Sequence, residues 1–327
     1  MVHQTATTPG PEVDPRDAVV VRGLTKSYGG VRAIAGIDFH IARGEVFALL
    51  GPNGAGKTTT VEILEGFRPR DGGQVSVLGY DPGHPHSKLR DLLGIVLQSS
   101  AVDPYLTVEE MIGMFAHFYP HPRPVGEVIE LVGLSEKRTS RVVKLSGGQQ
   151  RRLDVAIALA GDPDLLFLDE PTTGFDPSAR REAWEVVKNL AALGKTVLLT
   201  THYMDEAQYL ADRVAVIASG RIVAEGTPAT IGGRDQARPR VRLRVSAGTR
   251  LPAELGAETS PDGVTTFATL DLTRALHTLT TWAIDNRVEI DRLEIVRPSL
   301  EDTYLELTGE AAGDPGQLVG PGNSEPT

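Results

Sequence analysis

The stretch GPNGAGKTT, Gly51 to Thr59, restricts the fold of this chain more than any other segment. It fits G-x-x-x-x-G-K-[ST], with the apolar run EVFALL before it and a helical pattern behind it, the context such a loop requires. Gly51, Gly54 and Gly56 let the backbone curl, so that its N–H groups turn inward as donors for phosphate oxygens. Pro52, Asn53 and Ala55 complete the same cradle, and Thr59 closes it. Lys57 brings a point charge to the β- and γ-phosphates, Thr58 offers a hydroxyl to Mg²⁺, and the helix N-terminus adds a partial positive charge. The loop by itself predicts a strand–loop–helix unit that holds a nucleoside triphosphate with Mg²⁺.

A unit of that kind needs a sheet around it, and the rest of the chain supplies one. DLLFLDEP and TVLLTTH are short, fully apolar runs of the sort buried on both faces of a parallel sheet, and LLGIVLQSS is a further strand. Helical patterns at 178–193 and 203–210 alternate with them, an α/β arrangement. AVVVRGLTKSYGG and IDFHIARGEVFALL predict three strands near the start, and RVAVIASGRIVAEGTP an antiparallel hairpin about Ser219-Gly220. From Thr107 to Val143 the pattern is helical and broken by turns. The expected fold is therefore a P-loop α/β domain over 17–232, with a mixed sheet core, an antiparallel β part and a helical subdomain at about 100–145.

Beyond Pro228 the composition shifts. IGGRDQARPR reads as a linker, VRLRVSAG and VEIDRLEIV as strands. DLTRALHTLTTWAIDN sets Leu272, Leu276, Leu279 and Ala283 on one helical stripe behind Asp271, a suitable N-cap. PSLEDTYLELTG opens with Ser299 and Asp302 at capping-box spacing and closes at Gly309. Residues 233–310 are thus expected to form a small α+β accessory domain. The polar ends, 1–16 and 311–327, are expected to be disordered.

Composition narrows the function. With no cysteine, disulfides, thiolate nucleophiles and Cys-ligated zinc are excluded. The 33 basic and 43 acidic residues leave a net charge of −10, which argues against a nucleic-acid partner. No apolar run approaches the roughly 18 residues that span a bilayer. The first residues, MVHQTATTPGPEVDPRD, lack the basic start and apolar stretch of a secretory signal. The expected location is the cytosol, or the cytosolic face of a membrane. The loop histidines of HPH (84–86) and HFYPHP (117–122) lack the ligand spacing of a zinc site.

A second group of residues raises the nucleotide reading. In LLFLDEP, Asp169 and Glu170 end an apolar strand, where ligands of open parallel sheets gather. Asp169 can reach the Mg²⁺ shell. Glu170 is placed to orient or deprotonate an attacking water, against the plainer alternative of a capping or solvated acid. Together the two motifs predict binding of ATP or GTP.

LSGGQQRR (145–152) carries a second glycine-rich turn at a helix start, and here the chain resembles the ATP-binding cassette (ABC) ATPases, whose signature motif this is. Other family marks follow in order over about residues 17–230. Tyr28, in LTKSYGG, matches the aromatic that stacks on adenine, with a core aromatic as its alternative. Gln98, in IVLQSS, matches the glutamine that senses the γ-phosphate and the attacking water beside Mg²⁺. Asp176 matches the aspartate of the loop after the catalytic glutamate, although Phe175 stands where the family often has leucine. His202, in LLTTHYMDEA, matches the histidine at the γ-phosphate, with a satisfied buried histidine as its alternative.

The resemblance implies that Ser146, Gly147, Gly148 and Gln149 serve a partner. Two cassettes pack head to tail, each signature loop closing over the other's ATP, so a homodimer is expected. It also implies that the segment after Gln98 forms a groove for a membrane subunit. There Met111, Met114, Phe115 and Phe118 fall at i, i+3, i+4 and i+7, a stripe expected mainly to be core, with Tyr105 and Leu106 at a possible docking rim. The C-terminal PSLEDTYLELTG is similar to cassettes of bacterial ABC-2-type exporters, including the daunorubicin-resistance-type drug pumps. That resemblance implies an ATPase at the cytoplasmic membrane face, powering export of a drug-like, lipid or other amphipathic substrate through separate ABC-2-type permease subunits. An importer ATPase and a soluble cassette without a transport role are the alternatives.

Overall fold

The computed structural model describes residues 14–96, 102–234, 238–246, 249–260, 263–296 and 299–308. The chain divides into two compact units at the Ile231–Gly232 bond, one residue before the boundary expected from composition. The first unit runs β1 (Asp17–Tyr28), β2 (Val31–Ala42), β3 (Val46–Leu50), α1 (Lys57–Leu64), β4 (Gly72–Val77), α2 (Ser87–Asp91), β5 (Leu93–Val96), α3 (Val108–Ala116), α4 (Val125–Leu131), α5 (Gly147–Leu159), β6 (Leu165–Asp169), α6 (Pro177–Ala192), β7 (Thr196–Thr201), α7 (Met204–Leu210), β8 (Arg213–Ala218) and β9 (Arg221–Gly226).

Two sheets form its core. A six-stranded sheet has the order β5-β6-β7-β3-β8-β9, parallel throughout except for the β8–β9 hairpin. Its central strands β3 and β7 are buried at every position, which explains why they carry no polar–apolar alternation. The antiparallel sheet β2-β1-β4 contributes Leu24, Ile34 and Phe39 to a core shared with Phe47, Ile63 and Phe167. Phe39 and Phe47 stack with ring centroids 5.4 Å apart.

This sheet order places the site. β6, β7 and β3 are neighbours, with Asp169 opposite Thr200 and Leu50 opposite Thr201. The phosphate loop, the two carboxylates and His202 therefore leave the same edge of the sheet, at the C-terminal ends of its strands, where open α/β sheets bind ligands.

Two local expectations change. Asp14–Arg16, assigned from sequence to a disordered end, form a turn: Asp14 O accepts from Asp17 N at 2.8 Å, and Arg16 O from Arg43 N at 2.7 Å. The α3 stripe also divides. A capping box between Thr107 and Glu110 starts the helix and Met111 is fully buried. Met114 is exposed, and Phe118 lies past the helix end at Ala116 with 75% of its surface open. The helix is too short to keep all four side chains against the core.

The second unit contains β10 (Arg240–Arg244), β11 (Glu258–Thr259), β12 (Val264–Ala268), α8 (Leu272–Asp285), β13 (Asp291–Val296) and α9 (Leu300–Thr308). Its antiparallel sheet has the order β11-β12-β10-β13. Val241, Leu243 and Phe267 share a small core with Ala275 and Leu279 of α8. Asp271 caps α8 by accepting from Arg274 N at 3.0 Å. Ser299 and Asp302 exchange hydrogen bonds at the start of α9.

Candidate active site

The phosphate loop joins β3 to α1 and is pressed against neighbouring backbone. A Cβ on Gly51 would lie 2.3 Å from Ile217 O, and one on Gly56 2.6 Å from Ala33 O. Gly54 and Gly56 also have positive φ, 80° and 108°, which side-chain-bearing residues rarely adopt. Gly56 is the N-cap of α1 and offers no side-chain cap. The first N–H groups of α1 are thus left free for an anion. Thr58 is exposed beside them, while Thr60 is buried and donates its hydroxyl to Gly56 O at 2.8 Å.

Lys57 is 4% exposed. Its ammonium donates to Gly51 O at 2.8 Å and Pro52 O at 3.2 Å, and lies 3.6 Å from Glu170 Oε1. Burial lowers its pKa, while Glu170 and then Asp169 oppose that shift. The same carboxylate oxygen, Glu170 Oε1, is 3.3 Å from His202 Nδ1, in contact but without a hydrogen bond. Thr173 Oγ1 donates to the other oxygen, Oε2, at 3.1 Å. Glu170 itself has φ 46° and precedes Pro171, strain of a kind that accumulates at functional sites.

Thr200 joins the two acids. Its hydroxyl donates to Asp169 Oδ1 and accepts from Glu170 N at 3.1 Å, while its carbonyl accepts from the same N–H at 3.2 Å. Arg151 of α5, 9% exposed, donates to Asp169 O at 3.1 Å and Pro171 O at 3.2 Å. Glu65, just past α1, has its carboxyl raised to about 8 by burial, then by Asp169 and Glu62. An Asp carboxylate and a Thr hydroxyl beside a cradle of free N–H groups form a donor set that fits Mg²⁺ and the phosphates it accompanies.

Tyr28 is not a core aromatic. It is 39% exposed, with Arg68 5.3 Å and Lys26 5.5 Å from its ring centroid. Ion pairs hold both cations, Arg68 to Glu62 at 2.5 Å and Lys26 to Asp71 at 2.8 Å.

The second glycine turn starts α5. Ser146 is its N-cap, and a capping box joins it to Gln149. Ser146 and Gly147 are exposed. Among the described residues, no hydrogen bond or ion pair joins Ser146, Gly147, Gly148 or Gln149 to Gly51–Thr59. Asp176 caps α6, accepting from Ser178 N at 2.8 Å and Ala179 N at 2.9 Å. Gln98 lies outside the described residues.

With that geometry in place, comparison with known proteins is informative. A family model described as ABC transporter matches residues 34–173. The daunorubicin/doxorubicin resistance ATP-binding protein DrrA of Streptomyces peucetius is 38% identical over 92% of this chain and 95% of its own length. This chain belongs to the ABC transporter family. Its second unit matches, over 239–299, a model described as ABC transporter domain-containing protein-like, C-terminal domain. Nod factor export ATP-binding protein I of Ralstonia nicotianae is 43% identical over 67% of this chain and 70% of its own. Among solved structures, the cassette MJ0796, described as a dimer bound to ADP and Pi, superposes with TM-score 0.57 at 25% identity, covering 64% of this chain and 98% of that one. The chain is an ATPase of the cassette type.

Sequence reasoning missed four contributors to the cassette site: Thr200, Arg151, Glu65 and Arg68. Each acts through backbone or through a residue distant in sequence. Thr200 left one signal, a threonine pair, Thr200-Thr201, at the C-terminal end of a strand whose middle is apolar. Arg151 left none, because the carbonyls it holds, Asp169 O and Pro171 O, lie 18 and 20 residues on.

Proposed function

We propose that this chain is the ATP-hydrolysing subunit of an exporter, and that Glu170 is its catalytic carboxylate. One observation carries the assignment: the Lys57 ammonium and the His202 ring meet the same oxygen, Glu170 Oε1, at 3.6 and 3.3 Å. The N–H groups of Gly54 and Gly56–Thr59 and the Lys57 ammonium hold the β- and γ-phosphates of ATP. Thr58 and Asp169, with Gln98, would hold Mg²⁺, which would supply charge neutralisation at the phosphates. Glu170 accepts the proton of the attacking water as its oxygen bonds the γ-phosphorus and the ADP oxygen leaves. His202 contacts the γ-phosphate, and Tyr28 stacks on the base.

The signature turn serves a second copy of the chain. Ser146 and Gly147 are exposed at the N-terminus of a 13-residue helix, the correct polarity for a phosphate presented from outside. Asp176 lies in the adjoining turn. Two ATP molecules are then sandwiched between two copies, in line with the dimeric neighbour MJ0796. No helix among the described residues is long and apolar enough to cross a membrane, so the transport path belongs to separate ABC-2-type permease subunits. Relatives named for daunorubicin resistance and Nod factor export favour a drug-like, lipid or other amphipathic cargo and favour export over import. The exposed Tyr105, Met114 and Phe118 suit the permease contact. The subunit sits at the cytoplasmic membrane face through that contact.

The test is affinity purification of the Glu170→Gln chain with ATP and Mg²⁺ from detergent-solubilised membranes of its host. Recovery of a polytopic membrane protein supports the exporter reading, and its loss on Tyr105→Asp places the contact. Recovery of soluble proteins alone contradicts it and restores the non-transport cassette.

A further inference from the structure

Glu206, on α7, is 1% exposed and has no part in the hydrolytic scheme above. Burial raises its pKa, against hydrogen bonds and the Arg180 guanidinium that lower it. One of its oxygens collects donors from two other segments. Thr172 Oγ1 donates to Glu206 Oε1 at 2.7 Å, and Trp184 Nε1 donates to the same oxygen at 3.0 Å. The nearby Thr201 hydroxyl also favours its charged form.

Those donors are not scattered. Thr172 is 1% exposed and stands two residues past Glu170, in the turn that also carries Thr173. Thr201 ends β7 immediately before His202 and accepts from Tyr203 N at 2.9 Å. Trp184 lies on α6, the helix that Asp176 caps. Arg180, on the same helix, lies 4.2 Å from the Tyr203 ring and 3.3 Å from Asp205 Oδ2. A buried acid so placed is expensive unless fully satisfied, and satisfied it becomes a rigid joint.

We propose that Glu206 is a positioning residue that locks the Glu170 turn to the His202 turn and to α6, so that hydrolysis depends on it while nucleotide binding does not. The inference rests on the roles given above to Glu170 and His202. It also accounts for how a strained Glu170 is held: the clamp two residues further on prevents the turn from relaxing.

The experiment compares the full chain with Glu206→Ala, Glu206→Gln and Thr172→Val, measuring phosphate release for kcat and KM, and fluorescent ATP-analogue affinity. Glu206→Ala is expected to lower kcat by about tenfold to a hundredfold, the range that a misplaced catalytic group costs, with KM and affinity within about twofold. Glu206→Gln keeps an oxygen acceptor for Thr172 and Trp184 and is expected to restore most of kcat. Thr172→Val loses one clamp bond at constant volume and is expected to lower kcat in the same direction. If Glu206→Ala does not fold, Thr172→Val and Glu206→Gln decide between them. Normal kcat in Thr172→Val, or a loss in Glu206→Gln as large as in Glu206→Ala, overturns the inference. Glu170→Gln runs as a separate control. Unimpaired turnover there contradicts the site reading itself, whereas a dead Glu170→Gln beside a fully active Glu206→Ala contradicts only the clamp.

A second readout follows from composition. The chain has two tryptophans, so Trp282→Phe leaves Trp184 as the single reporter. Its emission is expected to shift in Thr172→Val, because the shared acceptor oxygen moves. An unchanged spectrum counts against the joint.

Discussion

At residue scale the site is a balance of buried charges. Lys57 and His202 converge on one carboxylate oxygen of Glu170, and each motif residue was legible because its type is demanded by phosphate chemistry. Lys57→Ala is expected to weaken ATP binding by at least about tenfold, since a buried ammonium at the phosphates contributes a charge-assisted bond worth about 1.5–3 kcal/mol. Isothermal titration checks it, and undiminished affinity would refute the phosphate role. Thr200, Arg151 and Glu206 were illegible for a common reason: the partners that tie them to the Glu170 turn lie 18 to 34 residues away in sequence and are backbone or ordinary polar groups. Nothing in a short motif encodes such a pairing.

Glu206 gives a pH prediction whose sign is fixed. Its folded pKa is raised by burial, with Arg180 opposing and Arg151 also in its field. A carboxyl with a raised folded pKa is most favourable to the fold below its unfolded pKa, and its ionisation costs stability as pH climbs from there to the folded value. Glu206→Gln removes that cost. Its melting temperature relative to the unaltered chain is therefore expected to rise as pH climbs above the ordinary carboxylate range. A difference that is flat, or that falls with pH, contradicts the assignment of burial as the dominant influence.

At the scale of elements, turns and caps carried the most reliable sequence signal. The capping box at α9, the Asp271 cap and the β8–β9 hairpin all stand where the residue spacing placed them. The α3 stripe did not, because periodicity says which residues share a face but not how far the helix runs or which part its neighbours cover. The phosphate loop gives the sharpest test at this scale. Gly56→Ala combines a φ of 108° with a Cβ 2.6 Å from Ala33 O. The strained backbone alone costs about 1–3 kcal/mol, so the variant is expected to lose at least that in chemical denaturation and to lose ATP binding with it. Wild-type stability would mean that the loop is not held against β2 as described.

At the scale of the whole molecule, the cassette unit and the C-terminal unit differ in how far sequence reached. Parallel strands buried on both faces announce themselves by composition, so the six-stranded sheet was readable down to its carboxylate-bearing edge. The C-terminal unit was readable as strands and a capped helix, but its sequence carries no motif that chemistry demands, and its role was not. The largest claim concerns neither unit alone. The signature turn at Ser146–Gly147 is exposed, and the proposal is that a second copy of the chain completes the site there.

The most direct measurement of that claim is light scattering of the Glu170→Gln chain with ATP and Mg²⁺, against the same chain with ADP. The account expects a dimer with ATP that is absent with ADP, and its loss when Ser146→Arg blocks the signature turn. A monomer under both conditions, with ATP shown to be bound, would contradict the shared site.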